Sequence, residues 1–114
     1  MAQAPLAQRT CKPCEGKTEP LPASAAQTLL QDLRGWELVE GKALRKTITC
    51  RNFVDAVNVV QRIVPIAEAE DHHPDLHLTN YRKLTIELST HAIGGLSEND
   101  FILAAKIDQL GFSS

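Results

Sequence analysis

A chain of 114 residues with 43% hydrophobic side chains has material for one modest core. Its net charge of −2 and pI near 6.0 argue against an electrostatic grip on nucleic acid. No apolar run reaches bilayer-spanning length, and three cysteines, an odd number, do not make a disulfide framework. The N-terminus has no basic start followed by an apolar stretch, so no secretory leader is expected and a reducing cytoplasm is the expected location.

Residues 1–22 carry Pro5, Pro13, Pro20 and Pro22 together with Gly16 and the pair Cys11 and Cys14. Such composition reads as a poorly ordered or loosely docked arm. Folding is expected to begin near Ser24, where "SAAQ" has the form of a capping box with Ser24 as N-cap and Gln27 three residues on. Leu29, Leu30 and Leu33 continue at helical spacing until Gly35. In "WELVEGKALRKTIT", Trp36, Leu38 and Glu40 alternate with Glu37 and Val39. Gly41 and Lys42 offer a tight turn. Leu44, Lys46 and Ile48 then alternate with Arg45, Thr47 and Thr49, which reads as a β-hairpin.

Asn52 can cap a second helix, in which Phe53, Ala56, Val57, Val60, Ile63, Val64 and Ala67 form a wide apolar stripe. Pro65 should kink that helix or end its regular part early. Residues 76–79 and 83–90 read as a second strand pair, with Leu84, Ile86 and Leu88 on one face and Thr85, Glu87 and Ser89 on the other. Gly94 and Gly95 break the second of these strands. Ser97 with Asp100 caps a last helix that keeps Leu103, Ile107 and Leu110 in register. The order is αββαββα. The expected fold class is α+β: a two-layer sandwich of a four-stranded antiparallel sheet with three helices on one face.

Between the second helix and the third strand lies "EDHHPDLH", which holds three of the four histidines. Adjacent residues on a helix or strand point apart, so His72 and His73 can converge only from a loop or an element end. Pro74 restricts His73 to extended backbone. Glu68, Glu70, Asp71 and Asp75 can hold imidazole protons. His91 arrives from the end of a strand. Three readings stay open on these residues: general acid–base catalysis, which imidazoles support at neutral pH; a metal site of His72, His73, His91 and a carboxylate; or polar loop residues and caps with no chemistry. "CKPC" (11–14) supplies two ligands where structural zinc takes four, and reads first as a mobile pair of thiols. Cys50 ends a strand, and His77 reads as a surface strand residue. No phosphate-binding loop and no nucleophile elbow is present.

The stretch from Glu68 to Ala104 resembles the signature region of the pterin-4a-carbinolamine dehydratases. The resemblance rests on Glu68, His72-His73-Pro74, Tyr81, Ser89-Thr90-His91, Gly95 and Leu96-Ser97-Glu98 with Asp100. More loosely it extends over residues 24–110. It implies an αββαββα fold, with an arm over 1–22 and a dehydratase-like domain over 23–114. It also implies a reaction: loss of water from 4a-hydroxytetrahydrobiopterin to give the quinonoid dihydropterin. No metal or organic cofactor takes part, since the pterin is the substrate.

By the same resemblance His72, His73 and His91 are the catalytic histidines. His73 and His91 flank the carbon 4a hydroxyl, and His72 lies on the nitrogen 5 side. Asp71, Pro74, Ser89 and Thr90 contact the pterin, while Glu68, and Asp71 as well, orient imidazoles. Implied partners are a second copy of the chain, as homodimer or homotetramer, and an aromatic amino acid hydroxylase that generates the substrate. Membranes and nucleic acids are not among them. Animal members carry an aromatic just after His-His-Pro, where this chain has Asp75 and Leu76, and their spacer to the aromatic matched here by Tyr81 is one residue shorter. They also lack the "CKPC" segment, whereas similar segments occur in microbial relatives. Two other functions stand beside the enzyme: an interaction protein of the kind that dimerises a homeodomain factor, and a metal-binding module.

Overall fold

A computed structural model describes residues 20–90 and 93–110 of the chain. The elements are α1 (Ala23–Leu30), β1 (Glu37–Val39), β2 (Ala43–Thr49), α2 (Phe53–Glu70), β3 (Asp75–Thr79), β4 (Lys83–Leu88) and α3 (Glu98–Asp108). The strands form one antiparallel sheet in the order β1-β2-β4-β3. Each hairpin thus contributes its longer strand to the centre, and the β2–β4 seam pairs Leu44 with Leu88, Lys46 with Ile86 and Ile48 with Leu84. The period-2 pattern sends Leu44, Ile48, Leu84, Ile86 and Leu88 to one face, where all are buried. All three helices pack there, through Ala26 of α1, Ala56, Val59 and Ile63 of α2, and Phe101 to Ala105 of α3. The opposite face is polar, with Arg45 on Glu37 at 2.8 Å and Thr47 beside Thr85.

Both hairpins turn through two successive residues of positive φ, Glu40 and Gly41 in one and Asn80 and Tyr81 in the other. That geometry matches the twist of the flanking strands. The first turn is therefore centred one residue earlier than Gly41-Lys42, and the Lys42 N–H donates to the Val39 carbonyl at 3.0 Å. α1 likewise starts earlier than its sequence suggests. Pro22, extended at ψ 158°, is the N-cap, and Ser24 sits inside the first turn, where its carbonyl accepts from the Thr28 hydroxyl. The cause is tertiary: the Leu21 N–H is tied to the Leu96 carbonyl at 2.8 Å, which fixes where the chain enters the helix.

Asn52 caps α2, its side chain accepting from the Asp55 N–H at 2.8 Å, while Asp55 accepts from the Arg51 N–H. Helix α2 does not end at Pro65 but runs on to Glu70. The proline costs one backbone bond, that of the Gln61 carbonyl, and both residues lie on the exposed face. The buried line of α2 is Ala56, Val59, Ile63 and Ala67, whereas Phe53, Val54 and Val64 are exposed. The apolar stripe is wider than the surface it covers. α3 is buried on nearly every side, its polar Asn99 and Asp100 included.

The inner face of the sheet carries a charge. Lys46 shares its face with Leu44 and Ile48 and is buried. Its ammonium donates to Asp108 Oδ1 and to the Arg34 carbonyl, both at 2.9 Å. Asp108 also accepts from the Trp36 indole N–H at 2.8 Å and the Arg34 N–H at 3.0 Å. This cluster ties the end of α3 to the turn after α1 and to the middle of the sheet.

Candidate functional site

The site forms where α2 ends, β3 begins and the β4–α3 connection arrives. α2 stops in a Schellman arrangement. Asp71 takes the left-handed conformation (φ 50°, ψ 42°), and the His72 N–H reaches back to the Ala67 carbonyl at 3.2 Å. That bond fixes the backbone of His72 directly beyond a rigid helix. Pro74 holds the next step extended, and β3 starts at Asp75.

The two histidines then part. His72 turns inward, its Nε2 2.6 Å from Asp100 Oδ1, with side chains 14% and 0% exposed. His73 stays outside, its Nε2 2.5 Å from Glu68 Oε2 in the last turn of α2, with side chains 56% and 68% exposed. Each imidazole has its Nε2 on a carboxylate from a different helix. Neither Nδ1 has a hydrogen-bond partner among the described residues.

Asp100 is the best-anchored group of the site. Its Oδ2 accepts from the Thr90 hydroxyl at 2.8 Å and from the Ser97 N–H at 3.0 Å, which closes a capping box at the start of α3. The Thr90 proton is committed to Asp100, so at 2.8 Å it is the Ser97 hydroxyl that donates to Thr90. The result is a directed chain, Ser97 to Thr90 to Asp100, with His72 donating from the other side. A carboxylate held this way accepts from the imidazole Nε2–H, so the neutral form of His72 that fits this contact is the Nε2–H tautomer, with its lone pair on Nδ1.

The sequence-expected residues fall out as follows. His72, His73, Pro74 and Glu68 lie together at the end of α2. Thr90 joins them from beyond β4, but its hydroxyl is spent on Asp100. Ser89 is half-buried beside it. Asp71 is exposed as the helix cap, and its carboxylate has no partner among the described residues. His91 lies outside the described residues, as do Cys11 and Cys14. Tyr81 is at the far tip of the β3–β4 hairpin, away from His72. Asp100 and Ser97 were legible as a helix cap but not as the support of His72. The signal was an Asp, rather than the usual Glu or Gln, at the third helical position. Among the described residues no group of three or more His, Cys, Asp and Glu side chains is arranged to hold a metal. The thiol of Cys50, buried at the far end of β2, is pushed up by that burial and then by the Asp55 carboxylate. No helix among the described residues is long and apolar enough to cross a membrane.

The chain matches the family model described as pterin 4 alpha carbinolamine dehydratase over residues 19–110. A Nitrosospira multiformis protein provisionally named pterin-4-alpha-carbinolamine dehydratase is 47% identical over 105 residues, 92% of this chain and 91% of that one. The Arabidopsis thaliana protein named pterin-4-alpha-carbinolamine dehydratase 2, mitochondrial, is 44% identical over 111 residues, 94% of this chain and 59% of the longer plant protein. A crystal structure of a Brucella melitensis protein titled transcriptional coactivator/pterin dehydratase superposes with a TM-score of 0.74 at 28% identity, over 81% of this chain and 98% of that one. Sequence and fold agree, and the chain belongs to the pterin 4 alpha carbinolamine dehydratase family, whose members are named for a hydro-lyase reaction.

Proposed function

We propose that the chain dehydrates 4a-hydroxytetrahydrobiopterin, the pterin left by aromatic amino acid hydroxylases, to the quinonoid dihydropterin. The reaction is redox-neutral. The C4a–O bond breaks, nitrogen 5 gives up its proton, its electron pair forms the N5=C4a double bond, and water leaves. One group must protonate the departing hydroxyl and another must accept the nitrogen 5 proton. No cofactor is required for either.

The observation that supports this most is the pair of carboxylate-backed imidazoles. His72, held as the Nε2–H tautomer by buried Asp100, offers the Nδ1 lone pair and is assigned as the base at nitrogen 5. Asp100 balances the charge the ring gains, the role a carboxylate plays behind any histidine base. His73, on exposed Glu68, is assigned as the acid at the hydroxyl, with His91 the second group there. Its exposure lets it reload a proton from water after each turnover. Pro74 and Ser89 are assigned to the pterin's surroundings. The test is the ultraviolet decay of freshly generated 4a-hydroxytetrahydrobiopterin by stopped flow. Catalytic amounts of protein should accelerate it, and decay at the spontaneous rate in the presence of folded protein would refute the assignment.

The exposed apolar side of α2, Phe53, Val54 and Val64, supports self-association. Homodimer or homotetramer formation through that face is the assembly proposed here.

A further inference from the structure

We propose that the segment Pro20–Leu21, ahead of the first helix, is a brace that positions His72. The inference builds on the role given to His72 above. Its basis is a continuous set of contacts from the N-terminal segment to the imidazole. Gly95 pairs with Thr90 as an isolated bridge, the Thr90 N–H donating to the Gly95 carbonyl at 2.8 Å. The remaining side of Gly95 is filled by Pro20. A methyl group at Gly95 would lie 2.9 Å from the Pro20 Cβ and 3.3 Å from its Cγ, closer than side chains approach. The next residue, Leu96, gives its carbonyl to the Leu21 N–H at 2.8 Å. The residue after that is Ser97, whose N–H and hydroxyl bind Asp100 and Thr90. Asp100 holds His72.

The loop is held from within by Leu96, whose side chain is fully buried in the core, and from the exposed side by Pro20. Pro20 is exposed and adds little to the core. Its ring is nonetheless the stop against which the loop rests, and φ at Gly95 is not in the left-handed region, so the need for glycine there is the closeness of Pro20. Residues 20 and 21 are positioning residues: they touch no reacting atom and act through the Ser97–Asp100–His72 chain. A displacement of about 1 Å in such a chain is enough to cost roughly 10²-fold in rate.

The experiment is nitrogen-15 NMR of the imidazoles in the full chain, with the His72 signals assigned by their loss in His72→Gln. In the native protein His72 should show the Nε2–H tautomer with a protected ring proton. Gly95→Ala should speed exchange of that proton by roughly 5- to 10-fold and populate the Nδ1–H tautomer. Adding Pro20→Gly to Gly95→Ala, which vacates the space the methyl needs, should bring the signals back to those of Pro20→Gly alone. Pro20→Gly alone, at an exposed site that does not threaten the fold, should give a smaller change in the same direction. Unchanged His72 signals in Gly95→Ala, or in Pro20→Gly if the alanine variant does not fold, would overturn the brace. This readout needs no turnover. Native protein that fails to accelerate carbinolamine decay would refute the dehydratase assignment and leave the brace standing or falling on its own spectra.

Discussion

His72 and His73 are neighbours in sequence with opposite surroundings, and the difference is made by one carboxylate each. Asp100 is fully buried, so its negative charge is tolerable only because Thr90, Ser97 and His72 all point donors at it. Asp100→Asn tests this at the scale of single atoms. The amide oxygen can still accept from Ser97 and Thr90, but the amide N–H group then faces His72 and forces its Nε2 to accept. The tautomer that the proposed base role of His72 requires is lost. The expected result is a fall in kcat of about 10²–10⁴-fold with a much smaller change in KM, measured by carbinolamine decay. Equal loss in kcat and KM, or none, would contradict it. Cys50 has the reverse character. Its thiol is buried and pushed up by burial and Asp55, so little thiolate exists at neutral pH. In a Cys11→Ser/Cys14→Ser background it should react with a thiol reagent only as fast as the protein unfolds, and immediate modification would show that the site is open.

At the level of elements, four left-handed positions among the described residues are filled by residues other than glycine: Glu40, Asp71, Asn80 and Tyr81. Asp71 ends α2 at φ 50°, and Tyr81 sits at φ 54° in the β3–β4 turn. Glycine costs less there, so Asp71→Gly and Tyr81→Gly should each raise stability by about 0.5–1 kcal/mol, read from urea midpoints. A loss of stability at Asp71 would mean that its carboxylate has a partner in solution. These positions also show what a sequence discloses. The alternation of Leu84, Ile86 and Leu88, the Asn52 cap and the Ser97–Asp100 box are local devices, and the elements they specify are where periodicity and capping place them. The start of α1 was not legible, because it is set by Leu21 bonding to Leu96, more than seventy residues away in sequence. For α2 the sequence left open a kink or an early end at Pro65, and the helix runs on to Glu70 because Gln61 and Pro65 lie on an exposed face that periodicity alone does not locate. The histidine cluster was visible as residues, and the resemblance supplied their chemistry. The divergence of His72 and His73 onto separate carboxylates became visible only once α3 was packed beside the end of α2.

For the molecule as a whole, the Lys46–Asp108 pair is the charge on which packing depends. It joins sheet, α3 and the turn after α1, and breaking a buried pair leaves one charge unmatched. Asp108→Ala should cost about 3–5 kcal/mol by urea unfolding, and Lys46→Met combined with Asp108→Leu should recover most of it. The outer face of α2 makes a second prediction at this scale. Val64→Glu should shift the chain toward monomer in sedimentation without lowering its helical content, whereas an unchanged assembly would place the interface elsewhere. The central claim, that a pair of carboxylate-backed imidazoles removes water from a pterin, is tested most directly by stopped-flow decay of 4a-hydroxytetrahydrobiopterin with native protein, His72→Ala and His73→Ala side by side. The account predicts acceleration by native protein and a loss of about 10²-fold or more in kcat for each folded variant. Native protein that leaves the spontaneous rate unchanged, or histidine variants as fast as native, would contradict it.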